Sequence, residues 1–278
     1  MASLKLSSKD KQFFKKNGYL VIKSRPLLGL KLRLKKELLD IALKILRKDD
    51  LLGKRAASVS SLNFDRVFDW CVQNERNNSV TRAFYEIFPA SLPVIGLIGD
   101  RLFVDYSKQL NLSHPLPSTL PILRIDRPKE MKYLTPAHQD FWYSMLSPNS
   151  LTFWFPLLPV TEGMGDLLVI PGSQRSGLIP VKGYTPENPF TSENDFLDSD
   201  FIPVRLKEDE MLVFSQYLVH KSGLNKGDRA RLTIQIRYND LETLKTLTSS
   251  FTPQYSRYVH NIHRRWQDEL AKLTAASV

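Results

Sequence analysis

Leu151-Thr152-Phe153-Trp154-Phe155-Pro156-Leu157 and Gly165-Asp166-Leu167-Leu168-Val169-Ile170-Pro171-Gly172 decide the fold class of this chain. Each is a short apolar run of β-prone residues closed by Pro or Gly, too short to be a buried helix. The same grammar extends over the second half of the sequence. Ile122–Ile125, Ile202–Val204, Met211–Phe214 and Leu232–Tyr238 alternate with Pro, Gly and Asp turns. Evenly spaced short strands predict a mainly β fold with flanking helices, its core a barrel or jelly roll. Between two of these strands lies 182–200, rich in Pro, Asn, Ser and acid, with Gly183 near its start. A connection of that length and polarity is expected to be a lid or a surface excursion.

The regions outside this core read as helices. Lys9 to Gly18 predicts a short helix, capped by Ser7 or Ser8 and stopped at Asn17-Gly18, with a strand at Tyr19–Ile22. From about Leu28 to Lys48, Leu30, Leu34, Leu38, Ile41 and Ile45 recur at helical spacing, with Lys31, Lys35, Lys36 and Lys44 between them on an expected solvated face. Residues 63–112 predict further helix with breaks at Pro89 and Pro93, and Tyr255–Leu273 returns to helical periodicity.

The 278 residues carry 39 Lys+Arg against 29 Asp+Glu, a net charge of +10. Residues 1–55 alone hold 16 basic and 5 acidic side chains, so the surplus belongs to the N-terminal segment. That segment offers a surface to an anionic partner, although an amphipathic helix with a solvated basic face is the stronger reading. Cys71 is the single cysteine, which excludes an internal disulfide framework and a Cys-rich metal site. No apolar run approaches the roughly 20 residues of a membrane helix, and the first residues lack a signal-type apolar region, so a cytoplasmic location is expected.

Chemistry is concentrated in the histidines. His114 reads as a surface residue, and His260 and His263 lack a suitably spaced acid. His138-Gln139-Asp140 is different, because residues i and i+2 of a strand share a face, with Gln139 turned away. His220 follows the Met211–Phe214 strand, and a neighbouring jelly-roll edge would bring it to the first pair. Two histidines and one carboxylate form the facial triad of non-haem Fe(II) oxygenases, which leaves positions open for a bidentate 2-oxo acid and for dioxygen. The far carboxylate of such an acid needs a fixed cation. Arg231 lies 11 residues after His220, with Arg229 and Arg237 as competitors, and Ser222 would add a hydroxyl on the same face.

These segments resemble the phytanoyl-CoA dioxygenase family of Fe(II)/2-oxoglutarate oxygenases. The resemblance runs from Phe13-Phe14-Lys15-Lys16-Asn17-Gly18-Tyr19-Leu20-Val21, through His138-Gln139-Asp140, Thr152–Leu157 and Gly165–Gln174, to His220-Lys221-Ser222-Gly223-Leu224-Asn225 and Arg231. It implies iron ligation by His138, Asp140 and His220, and 2-oxoglutarate binding by Arg231 and Ser222. It also implies dioxygen as co-reactant and one oxygenase domain over 1–278, divided into a largely helical 1–116, a double-stranded β-helix (jelly-roll, cupin-like) core at 117–240 and a C-terminal helical extension at 241–278. Arg124, on the strand before the His-x-Asp motif, is the candidate for the inner 2-oxoglutarate carboxylate. Gln174 stands where the family's Pro-Gly-Ser turn usually carries histidine, and Glu162-Gly163-Met164-Gly165 where Asn-Gly is common. Phe141, Trp142, Tyr143 and Trp154 are candidates for gripping a substrate.

The expected activity is hydroxylation of a small molecule, coupled to decarboxylation of 2-oxoglutarate to succinate. A nucleic-acid demethylase of the same superfamily is the alternative, suggested by the Arg231/Arg237 pair and the basic N-terminus. A non-catalytic cupin-like binding protein is a third reading, against which the intact triad argues.

Overall fold

A computed structural model describes residues 5–48, 63–74, 84–118, 120–132, 134–141, 147–158, 160–179, 181–183, 191–192 and 196–243. The chain opens with α1 (Ser8–Asn17), capped by Ser7, whose hydroxyl accepts from the Asp10 N–H. Gly18 ends the helix at φ +80°, and its N–H donates to the Phe14 carbonyl. A side chain there would also collide with Gln174, whose amide donates to the carbonyls of Lys15 and Lys16. The glutamine of the Pro-Gly-Ser turn therefore ties that turn to the end of α1.

β1 (Tyr19–Lys23) leads into α2 (Arg25–Lys48), α3 (Phe64–Asn74), α4 (Leu92–Ile95) and α5 (Arg101–Gln109). Pro93 does not break a helix as expected. It sits in the first turn of α4, where its missing N–H costs nothing. The apolar stripe of α2 is buried as read, but its basic edge is not uniformly solvated. Lys31 is buried, donates to the Glu208 carbonyl at 2.8 Å and lies 5.6 Å from the Phe155 ring, while Lys35 pairs with Asp65. Burial pushes the Lys31 ammonium down to about 8.

The strands that follow are β2 (Pro115–Pro117), β3 (Ile122–Asp126), β4 (Ser150–Pro156), β5 (Leu167–Val169), β6 (Val181–Gly183), β7 (Thr191–Ser192), β8 (Ile202–Val204), β9 (Glu210–Ser215), β10 (His220–Ser222) and β11 (Arg231–Asp240). One antiparallel sheet runs β1-β9-β4-β11, with β2 and β3 pairing different stretches of the far edge of β11. A smaller sheet runs β10-β5-β8. This is the mainly β, jelly-roll architecture expected. β6 and β7 form an antiparallel ribbon inside the segment expected to be a lid, so that segment is not wholly irregular. Residues 184–190 and 193–195, and the helix expected at Tyr255–Leu273 with His260 and His263, lie outside the described residues.

Every residue of β4 is buried, because both faces of the large sheet are covered. Leu151, Phe153 and Phe155 point with Leu123, Ile125, Met211, Val213, Leu232, Ile234 and Ile236 into the core beneath the helices. Leu212 and Phe214 of β9 pack with Trp154, Leu167, Val169 and Val204 between the two sheets. Each fully buried large apolar side chain contributes about 1.5–3 kcal/mol. Period-two alternation thus sends one set of side chains to the helices. The other set, Thr152 and Trp154 on β4, Arg124 and Asp126 on β3, and Arg231, Thr233, Gln235 and Arg237 on β11, turns to the interior between the sheets.

Candidate metal and cosubstrate site

His138 and His220 are joined by a reciprocal pair of backbone hydrogen bonds, each 3.0 Å, which sets their rings 4.2 Å apart. His138-Gln139-Asp140 is not a regular strand, as was expected, but a single β-bridge running into a turn. The side-chain alternation survives. His138 and Asp140 converge, while the Gln139 amide turns the other way, donating to the carbonyls of Gly177 and Tyr217 and accepting from the Ile179 N–H. This anchors the motif from behind.

The Nδ1 of His138 lies 2.8 Å from the Pro136 carbonyl, and that of His220 lies 3.0 Å from the Leu218 carbonyl. A carbonyl only accepts, so each Nδ1 is the donor and each Nε2 is the nitrogen left to ligate. The two Nε2 atoms face the same Asp140 oxygen, Oδ1, at 3.6 and 3.7 Å. The ligand atoms of the three residues lie within 4.8 Å of one another, and all three side chains are buried. Burial, with the neighbouring His138 and Arg237, pushes His220 down to about 3, so its ring is neutral at neutral pH. Two converging imidazole nitrogens and a carboxylate oxygen suit a divalent cation. Two imidazoles and one carboxylate fit iron(II) and leave coordination positions open.

Asp140 is held as firmly as the histidines. Arg237 donates through Nη2 to Oδ1 at 2.9 Å and through Nε to Oδ2 at 3.2 Å, and the Thr152 hydroxyl donates to Oδ2 at 2.6 Å. Burial disfavours the charged carboxylate, but the Arg237 guanidinium beside it outweighs burial and keeps the carboxyl well below its ordinary range. Oδ2 is committed to Thr152 and Arg237, whereas Oδ1 faces the histidines and is the oxygen placed to ligate.

A second polar cluster surrounds Arg231. The β3–β11 register sets Asp126 opposite Arg231. Arg231 donates to Asp126 Oδ2 through Nη2 at 2.6 Å and Nε at 3.2 Å, and Arg124 donates through Nε to Oδ1 at 2.7 Å. Arg124 also donates to the Thr135 hydroxyl at 2.6 Å, and the Thr135 N–H donates to the Ser222 hydroxyl at 3.3 Å. Burial works against the charge on Asp126, and the two arginines overcome it, holding its carboxyl below the ordinary range. The Arg231 guanidinium lies 5.2 Å from the Trp154 ring. On its other flank Gly165, at φ +85°, comes so close that a Cβ would sit 3.5 Å from Cζ. Among the described residues no side-chain hydrogen bond uses Arg231 Nη1. Thr233, the next inward residue of β11, has a buried hydroxyl with no hydrogen-bond partner among them.

The candidates read from sequence therefore fall into two groups. His138, Asp140 and His220 come together, and Arg231, Arg124 and Ser222 are linked by Asp126 and Thr135. Arg124 shares the Asp126 carboxylate with Arg231 and so belongs to the Arg231 cluster. Trp154 lies beside the Arg231 guanidinium. Phe141 packs its ring 5.4 Å from Tyr217, while Trp142 and Tyr143 lie outside the described residues. His114 is exposed beside Glu242. Asp126, Thr135 and Thr152 were not singled out. The signal for Asp126 and Thr152 was available: each is a polar residue at an inward position of an otherwise apolar strand.

The jelly roll and its buried two-histidine, one-carboxylate cluster define the architectural class of the non-haem oxygenases. The chain matches the phytanoyl-CoA dioxygenase family over residues 70–233 and belongs to that family of Fe(II)/2-oxoglutarate-dependent oxygenases. It is 30% identical over 106 residues to 1-deoxypentalenic acid 11-beta-hydroxylase of Streptomyces arenae, covering 34% of this chain and 35% of that protein. It is 25% identical over 214 residues to phytanoyl-CoA dioxygenase 1 of Oryza sativa subsp. japonica, covering 70% of each. Its fold is similar to that of the non-heme monooxygenase ThoJ (TM-score 0.55, 16% identity, 83% of this chain and 76% of that one). It is also similar to EctD of S. alaskensis, solved with 2-oxoglutarate and 5-hydroxyectoine (TM-score 0.54, 19% identity, 86% and 78%). No helix among the described residues is long and apolar enough to cross a membrane.

Proposed function

We propose that this protein is an Fe(II)/2-oxoglutarate-dependent hydroxylase of a small molecule. The observation that carries this reading is the pairing of a buried His138–Asp140–His220 cluster with a buried arginine, Arg231, on the same interior face. Family membership supports it, as do relatives whose names record hydroxylase and dioxygenase activity. The iron, when bound, supplies the dioxygen chemistry that converts 2-oxoglutarate to succinate and carbon dioxide and oxidises a substrate carbon.

The protein's own part is binding and orientation. His138 and His220 turn Nε2 toward the metal position because their Nδ1 atoms are engaged by the Pro136 and Leu218 carbonyls. Arg237 and Thr152 hold Asp140 to one ligating oxygen. Arg231, steadied by Asp126, Trp154 and the Gly165 backbone, receives the far carboxylate of 2-oxoglutarate, with Ser222 and Thr135 beside it. Arg237, already at Asp140, is the nearer arginine for the inner carboxylate, in place of Arg124. Phe141, with Trp142 and Tyr143 next in sequence, provides apolar surface near the metal to orient a substrate C–H bond. Purified protein should form succinate from 2-oxoglutarate only when Fe(II) and dioxygen are both supplied. Succinate formation that survives His138→Ala would contradict the reading.

A further inference from the structure

We propose that Asp126 determines which anionic end group the Arg231 cluster accepts. By neutralising one of its two arginines, it leaves a single surplus positive charge, matched to a carboxylate and mismatched to a doubly charged phosphonate or phosphate. This deepens the function proposed above and rests on Arg231 receiving the far end of the cosubstrate.

The cluster is built from buried groups. Asp126 and Arg231 are almost wholly enclosed, and the Arg124 side chain is mostly so. Each Asp126 oxygen serves a different arginine, so the carboxylate bridges the two and screens their mutual repulsion. Both contacts from Arg231 fall on Oδ2 and use its Nε–Nη2 edge, leaving Nη1 without a side-chain partner among the described residues. The ring of Trp154 and the backbone at Gly165 lie against the guanidinium. The unpartnered, buried Thr233 hydroxyl lies on the same interior strand face and provides a further polar group for a ligand.

Charge arithmetic in a low-dielectric site then sets selectivity. Two arginines alone would favour a dianionic end group. Two arginines and one aspartate favour a monoanionic one. Asp126 acts through Arg231 and Arg124 and is in this sense a positioning and specificity residue, not a catalytic one.

The test is calorimetric binding to Mn(II)-loaded protein, which requires no turnover. Two ligands are compared: 2-oxoglutarate and 2-oxo-4-phosphonobutanoate, in which a phosphonate replaces the far carboxylate, at a pH where the phosphonate is doubly ionised. Asp126→Asn should shift the ratio of dissociation constants toward the phosphonate by about tenfold or more, and Arg124→Gln should shift it the opposite way. Asp126→Asn combined with Arg124→Gln restores the single surplus charge and should return the ratio to within about threefold of the unaltered protein. If Asp126→Asn does not fold, Arg124→Gln and the double variant carry the same arithmetic. An unchanged ratio in the single variants, or a double variant whose ratio is displaced as far as that of a single variant, would overturn the inference and leave Asp126 a mere brace. Failure of the unaltered, metal-loaded protein to bind 2-oxoglutarate would overturn the proposed function, and this inference with it.

Discussion

Asp140 and Asp126 are both buried, both ionised, and both gripped by an arginine of β11, Arg237 and Arg231 respectively. What surrounds the two pairs differs. Asp140 faces the Nε2 atoms of two histidines, a set of nitrogen and oxygen donors that invites a cation. Asp126 faces a second arginine, so that cluster is net positive and invites an anion. The same ion pair recurs twice along one face of β11, and in the proposed function its neighbours assign one copy to the metal and the other to the cosubstrate.

Removing each arginine is the sharpest way to break this comparison. Arg237→Leu strands Asp140 as a buried, uncompensated charge and should cost about 3–5 kcal/mol of stability in the metal-free protein. Added Mn(II) should recover part of that loss, raising the variant's melting temperature more than it raises that of the unaltered protein. Arg231→Leu should destabilise less, since Arg124 still neutralises Asp126. Its main effect should be a loss of about 2–5 kcal/mol in 2-oxoglutarate affinity, larger than the loss caused by Arg237→Leu. Equal effects of the two substitutions in both assays would erase the distinction between the clusters.

Thr152→Val sharpens the metal end alone. It deletes a buried hydroxyl bonded to a charged group and should cost about 1.5–3 kcal/mol. It should also weaken metal binding by about 10–100-fold, measured by competition with a chelator. Binding of the phosphonate analogue relative to 2-oxoglutarate should not change.

The smallest effect expected is that of pH on the metal-free protein. His220 titrates near 3 when folded against 6.5 ordinarily, so between those values the unfolded chain binds a proton that the folded chain refuses. Stability is therefore lost as pH falls below about 6.5, by about 1.4 kcal/mol one pH unit lower. Asp126 and Asp140 are lowered carboxylates. Their contribution is present above the ordinary carboxylate value of 3.8 and is lost only in more acidic solution. Denaturant melts across the acidic range that show no decline before carboxylate protonation would contradict the His220 assignment.

Much of this was legible in the sequence because it is written in local alternation. The strands, the convergence of His138 with Asp140 and the 11-residue step from His220 to Arg231 all follow from residues near one another on the chain. The partners of those residues were harder to read. Asp126 meets Arg231, and Thr152 meets Asp140, only once the β3–β11 register and the packing of the turn after His138 are fixed. The burial of Lys31 escaped for a similar reason, since the chain around Glu208 that covers it is remote in sequence. Arg124 lay in the expected region, but which end of the ligand it serves depended on Asp126.

Anaerobic titration of the protein with Fe(II) and then 2-oxoglutarate tests the central claim most directly. The unaltered protein should bind one iron and develop a weak visible charge-transfer band when 2-oxoglutarate is added. Asp140→Ala should lose the iron, and Arg231→Leu should keep the iron but need far more 2-oxoglutarate to form the band. Full iron binding by Asp140→Ala, or an unaltered 2-oxoglutarate requirement in Arg231→Leu, would contradict the division of this interior into a metal end and a carboxylate end.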